Sequence, residues 1–238
     1  MLMRINKFIA DSGVTSRRKA EELILQGRVI VNKKIITELG YRINPGKDEV
    51  LIDGERLKIK NNVYYLLNKP KGVISTTKDE RKRKTVVDLI KTREKIYPVG
   101  RLDYNTTGIL LLTNDGDFSN LLTHPGNKVP KIYEVKLNRQ LQESDKEKLL
   151  KGVYIENRKG RFEKVRYQNL KDRNLIEVEC VEGRNRFVKK MFETLGYNVK
   201  SLNRSSFAGL KPDVTIGKYR MLNNIEVKKL FDKYSINI

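Results

Sequence analysis

The chain has 238 residues, 38% apolar and 33% charged, and its 50 Lys and Arg against 29 Asp and Glu give a formal charge of +21. That length holds one large domain or a small one beside a medium one. The positive excess points to a polyanion, since Lys and Arg neutralising phosphates supply most non-specific nucleic-acid affinity; an anionic membrane surface is the competing partner. A single cysteine, Cys180, and a single histidine, His124, exclude an intramolecular disulfide, a CxxC pair and a Cys/His metal cluster, so no metal is expected; with no phosphate-binding P-loop and no dinucleotide fingerprint, no cofactor is expected either. With no long apolar run and no secretory leader, the sequence reads as a soluble, cytoplasmic protein without a membrane partner.

In chain order, MLMRINKFIADSG sets Ile5, Phe8 and Ile9 on one helical face and predicts a helix ending near Gly13. TSRRKAEELILQG predicts a second, capped by Thr15 or Ser16, with Ala20, Leu23 and Ile24 inward and Gly27 past its end. RVIVNKKIIT reads as a hairpin around Asn32-Lys33, and EVLIDGERLKI as another around Asp53-Gly54. This helix-helix-hairpin unit is expected over residues 1–60, up to the polar IKNNV. Arg4, Lys7, Arg17, Arg18, Lys19, Arg28, Lys33 and Lys34 make it basic, with few acids among them, which favours contact with RNA or DNA over a merely solvated face. SGVTSRRKAEELILQGRVIVNKK resembles the small RNA-binding domain shared by ribosomal small-subunit protein four and tyrosyl-tRNA synthetases, which implies a docking module for structured RNA.

A larger domain is expected over residues 63–238. YYLLNKP and KGVIST read as strands around a Lys-Pro-Lys-Gly turn and TVVDLI as a short helix. GILLLTND reads as a buried strand followed by a helix from Asp117 through Leu122. KIYEVKL is a strand, ESDKEKLLKG a helix capped by Ser144, LIEVEC a strand that buries Cys180, NRFVKKMFETLG a helix and NNIEVKKLFDKY a closing helix. Strands and helices alternating without regular βαβ spacing predict an α+β fold with a mostly antiparallel sheet and a central cleft.

The sole histidine lies at a probable helix end in LLTHPG, so chemistry is expected to run on carboxylate, Tyr, Lys or Arg. Of the acids in PVGRLDYNTTGILLLTNDGD, Asp115-Gly116 is a turn dipeptide and Asp117 is placed to cap a helix. Asp103 has no such assignment. An Asx turn is one reading; the other makes it the reactive group, held ionised by a nearby cation such as Arg101 two residues earlier.

GRLDYNTTGILLLTNDGD resembles the signature of ribosomal RNA pseudouridine synthases of the RsuA/RluB type. LLNKPKGVIST, KIYEVKL and EGRNRFVKKMFETLGYNVKSLNR match further motifs of that family in order. The resemblance implies isomerisation of a flipped-out uridine in ribosomal RNA, with Asp103 as the catalytic carboxylate at the sugar, by covalent attack or through a glycal. It further implies Lys189 as the cation beside Asp103, with Lys190 as the fallback, and Tyr133 as the residue that stacks on the base and serves proton transfer at C5. Arg101, Lys69, Lys71, Arg184, Arg186 and Arg204 join the amino-terminal cations as expected RNA contacts, and Leu210 as a pocket wall. Phe187 stands where the family commonly carries glutamine, which puts the positioning of the site in question. SRRKAEEL and EGRNR resemble most the RluB type, which modifies the large ribosomal RNA, and so imply 23S rRNA, free or in an assembling ribosomal particle. The alternatives are 16S rRNA, the substrate of the RsuA type, a non-catalytic rRNA-binding or ribosome-assembly protein, and a base-excising glycosylase. A monomer with no protein partner is expected.

Overall fold

The computed structural model describes residues 2–169 and 172–235; residue 1 and residues 236–238, the outer ends of the two expected domains, lie outside the described residues. The chain divides into two compact units, residues 2–63 with Arg93–Lys95 and Asn114–Gly116, and the remainder from Tyr64.

In the first unit the elements are β1 (Met3–Arg4), α1 (Ile5–Asp11), α2 (Arg17–Leu25), β2 (Val29–Val31), β3 (Lys34–Ile36), β4 (Arg42–Ile43), β5 (Val50–Ile52) and β6 (Glu55–Arg56). The first helix starts later than its apolar pattern suggests, because Met3 and Arg4 pair with Ile43 and Arg42 as a short antiparallel ribbon. Ser16 caps α2 by accepting the Lys19 N–H, a bond worth about 1 kcal/mol in such caps. Both hairpins turn where expected: Asn32, Lys33, Asp53 and Gly54 all take positive φ, the geometry that two-residue hairpin turns require. Ile5, Phe8, Ile9, Ala20, Leu23 and Ile24 from the helices close over Val29, Val31, Val50 and Ile52 to form this unit's core.

The second unit contains β7 (Tyr64–Lys69), β8 (Tyr97–Pro98), β9 (Thr107–Thr113), α3 (Gly116–Thr123), β10 (Lys131–Leu137), α4 (Glu143–Lys151), β11 (Val153–Ile155), β12 (Arg158–Gly160) and β13 (Lys164–Tyr167). It continues with β14 (Leu175–Cys180), α5 (Phe187–Glu193), β15 (Val199–Phe207), β16 (Tyr219–Met221) and α6 (Asn224–Tyr234). Its sheet runs β13-β14-β10-β15-β9-β7-β16, with β8 added to β9. All pairings in it are antiparallel except β15 with β9, so the fold is α+β with a mostly antiparallel sheet. β9 pairs with β7 from Gly108 to Thr113, while β15 takes its start at Thr107–Gly108 and β8 its end at Leu112–Thr113. Dividing one strand between two neighbours leaves β15 and β9 joined only at the first residues of β9, beside the GRLD loop.

Several local expectations are corrected here. KGVIST forms no strand; only Ile74 bridges Thr85, and the Ser75 hydroxyl instead bonds Leu102. Ser144 lies inside α4, whose N-cap is Gln142, and Asp117 lies in the first turn of α3 rather than ahead of it. TVVDLI tightens to a 3₁₀ turn at Val87–Leu89. The long central strand β15 shows no apolar alternation in its sequence, because Arg204 and Ser206 take its buried positions, with a bulge opposite Ile132–Tyr133.

Candidate active site

The segment GRLDYNTTG forms the loop that feeds β9. Leu102 anchors it from below: its N–H donates to Ser75 Oγ at 3.1 Å, and Ser75 Oγ donates to the Leu102 carbonyl at 2.8 Å. A backbone bond from Thr106 N–H to the Asp103 carbonyl, 3.0 Å, closes the turn. The Asp103 side chain is therefore not what shapes the turn. It points to α5, where Lys189 Nζ donates to its Oδ2 at 2.7 Å, with 34% of the Asp103 side chain and 17% of the Lys189 side chain exposed.

Lys189 reaches that position because Phe187, Val188, Met191 and Phe192 bury the opposite stripe of α5. Lys190, the fallback partner, instead forms an ion pair with Glu156. Phe187 is itself buried, 5.8 Å edge-to-face from Phe162 and covered by the Arg184 guanidinium at 5.2 Å. In this chain the position that commonly holds an amide is thus filled by an aromatic packing contact.

Tyr133, Arg204 and Gly108 lie in register across β10, β15 and β9. The backbones approach so closely that a Cβ on Gly108 would stand 2.2 Å from the Arg204 carbonyl oxygen, so only glycine fits where the GRLD loop enters the sheet. Tyr133 is buried, and burial pushes its phenol up to about 12 against the opposing pull of the Arg204 guanidinium; Asp103 is near enough to add to the rise. Arg204 is 2% exposed. Its Nε donates to the Ile109 carbonyl at 2.8 Å, its guanidinium covers Phe207 at 4.6 Å, and Nη2 is buried without a hydrogen-bond partner. An unmade buried donor costs about 1–3 kcal/mol. The Arg204 guanidinium is the positive charge that favours the ionised form of the Tyr133 phenol.

Lys69 closes the site from beneath and corrects the expectation of an RNA contact. It is completely buried at the end of β7, with Nζ donating to the carbonyls of Pro70 (3.0 Å), Asp103 (3.2 Å) and Thr106 (2.9 Å). Burial lowers its ammonium from 10.5 to about 8, with Asp103 opposing and Lys189 reinforcing the fall. The carboxylate thus sits with one lysine at its side chain and another at its backbone.

Arg204 and Arg184 are likewise not free for RNA. Arg204 is inside the sheet, and Arg184 binds Glu182 at 2.6 Å and the carbonyls of Arg158 and Lys159 at 3.2 and 3.3 Å, tying down the β11–β12 hairpin. Arg186 is exposed but paired with Glu193 at 2.8 Å. Arg101 and Lys71 are exposed without an ion pair among the described residues; Arg101 is not what holds Asp103. Leu210 packs against the core around Phe118 and Phe207. In the first unit Arg17, Arg18, Lys33 and Lys34 are exposed and unpaired among the described residues. Lys19 pairs with Glu22, Arg28 with Asp53, and Arg4 bonds the Leu39 carbonyl.

Neither single-copy residue joins the site. His124 Nδ1 accepts the Gly126 N–H at 3.2 Å and caps a 3₁₀ turn, and burial pushes the Cys180 thiol up to about 12. Among the described residues no His/Cys/Asp/Glu group could hold a metal ion, and no helix is long and apolar enough to cross a membrane.

A carboxylate paired with lysine, beside a buried tyrosine-arginine couple on a mixed sheet, is a group of side chains capable of acid-base or nucleophilic work. Residues 63–194 match the family described as RNA pseudouridylate synthase and residues 3–50 match the S4 domain; the chain belongs to the RNA pseudouridylate synthase family. It is 43% identical to Ribosomal large subunit pseudouridine synthase B of Bacillus subtilis, over 95% of each chain. An uncharacterized RNA pseudouridine synthase of Aquifex aeolicus is 39% identical, over 97% of this chain and 94% of that one. A solved pseudouridylate synthase matches with a TM-score of 0.68 at 30% identity, covering 96% of this chain and 99% of the other.

Proposed function

We propose that this protein isomerises a uridine of 23S ribosomal RNA to pseudouridine, with Asp103 as the carboxylate at the ribose. The observation that carries the reading is the 2.7 Å pair between Lys189 and Asp103, beside the row of Tyr133, Arg204 and Gly108. The 23S molecule is favoured because the Bacillus subtilis relative is named for the large ribosomal subunit.

The reaction breaks the bond between N1 and the ribose C1′, turns the uracil and forms a bond from C5 to C1′. The C5 proton leaves, N1 gains one, and no atom or electron is added overall. Asp103 acts at the sugar in either form of the chemistry, attacking C1′ or taking a ribose proton to give a glycal. Lys189 holds the carboxylate ready, Tyr133 carries the C5 proton, and Arg204 steadies the tyrosine oxygen while it does so. The target must leave its stack to reach a partly buried acid, so the enzyme flips it. Exposed Arg17, Arg18, Lys33 and Lys34 hold the rRNA or assembling particle through its phosphates. The protein works in the cytoplasm as a monomer, without membrane or protein partner.

The test is to map pseudouridines in rRNA from a deletion strain by carbodiimide-induced reverse-transcription stops. Loss of a site in 23S rRNA is expected. Loss in 16S rRNA would move the assignment to the smaller rRNA, and an unchanged full set would overturn it. Free uracil from purified protein and transcript would identify a glycosylase instead.

A further inference from the structure

We propose that Tyr104 is a stacking platform for the RNA base next to the extruded uridine; this rests on the reading of Asp103 given above. Tyr104 follows the carboxylate directly and is 49% exposed, although the loop beneath it is held on several sides. Its carbonyl accepts the Gly72 N–H at 2.9 Å and is 3.5 Å from Lys69 Nζ, while Asp103 and Thr106 are tied to the same lysine. The phenol lies along the Lys71–Gly72 turn, where a Cβ on Gly72 would stand 3.8 Å from its hydroxyl. No ring or cation-π contact within the described residues engages its face.

A rigidly mounted aromatic with an unoccupied face is already organised for a flat partner. Cations flank it in the chain and across the turn. Lys71 and Arg101 are exposed, and Arg83, held by Asp79 at 2.7 and 3.1 Å, is near enough to feel the phenol. Exposed aromatic surface with a guanidinium close by, next to a carboxylate, fits a nucleobase and its phosphate. Flipping one nucleotide strips a stacking partner from its neighbour. Tyr104 is mounted on the same short loop as Asp103, so with the sugar seated on the carboxylate a flanking base lies within reach of its ring. Stacking of this kind tolerates any base, because every base has a π-face.

The chain contains no tryptophan, so Tyr104→Trp introduces a single indole reporter. Combined with Asp103→Asn to prevent turnover, it should lose at least half its emission when titrated with unmodified 23S rRNA transcript. In tritium-release assays with the full chain, Tyr104→Ala should raise KM roughly tenfold with kcat much less affected, and Tyr104→Phe should restore most of the lost affinity. Unchanged indole emission at saturating RNA, or a wild-type KM for Tyr104→Ala, would overturn the proposal. The emission measurement needs no turnover, so it separates failure of stacking from failure of the catalytic reading, which would show as no tritium release by the wild-type protein.

Discussion

Replacing Lys69 by methionine keeps most of its length and removes the buried ammonium that holds the Asp103 loop. The Asp103 and Tyr104 carbonyls keep backbone donors, from Thr106 and Gly72. The bonds to Pro70 and Thr106, at 3.0 and 2.9 Å, are the ones that count fully. At about 1.5–3 kcal/mol for each bond to a charged group, their loss is about 3–6 kcal/mol. Against this stands relief from burying the charge, which lowers the lysine from 10.5 to about 8 and is worth about 3 kcal/mol at about 1.4 kcal/mol per pH unit. The net expectation at pH 7 is a loss of about 0–3 kcal/mol, read from the urea midpoint. Between pH 8 and 10.5 the unfolded lysine holds a proton that the folded one has shed, so wild-type stability gains from this group as pH rises. From about pH 7.5 to about pH 9.5 the gap between wild type and Lys69→Met should therefore widen by about 2 kcal/mol. A gap that stays constant or narrows would refute the reasoning. Turnover should fall at least about tenfold in the variant, since a displacement of about 1 Å in a reacting group can cost far more.

Lys189→Met should lower kcat/KM by roughly 10²-fold, the scale for removing one preorganised charge partner, and leave rRNA affinity within about threefold in filter binding. Gly108→Ala places a methyl 2.2 Å from the Arg204 carbonyl oxygen, and the variant should be insoluble or lose at least about 4 kcal/mol in thermal unfolding. Replacing Arg17 and Arg18 together by alanine should make the dependence of log K on log salt shallower by about 0.7–0.9 per lost phosphate contact; an unchanged slope would remove them from the RNA surface.

Legibility followed the physics of each element. The turns at Asn32-Lys33 and Asp53-Gly54 and the cap at Ser16 depend on local backbone preference, which residue type reports directly. The burial of Cys180 is readable because strands alternate. The approach of Lys189 to Asp103 spans 86 residues; spacing alone does not encode it, and only the family resemblance suggested it. Buried cations were read wrongly for one reason. Composition treats a lysine or arginine as surface charge, whereas Lys69 and Arg204 find their acceptors on backbone carbonyls that sequence does not display. The end of the apolar run YYLLNK was the available sign for Lys69, since a cation closing a buried strand needs partners of its own. β15 is not legible because polar Arg204 and Ser206 occupy its buried positions, so burial alternates where hydropathy does not.

The most direct measurement is tritium release from 5-³H-uridine-labelled, unmodified 23S rRNA transcript by wild-type protein and by Asp103→Asn, with RNA binding followed in parallel. The substitution removes one charge and almost no volume. Stoichiometric release by wild type, none by Asp103→Asn, and affinities within about threefold of each other are expected. Release by Asp103→Asn at the wild-type rate would contradict the account.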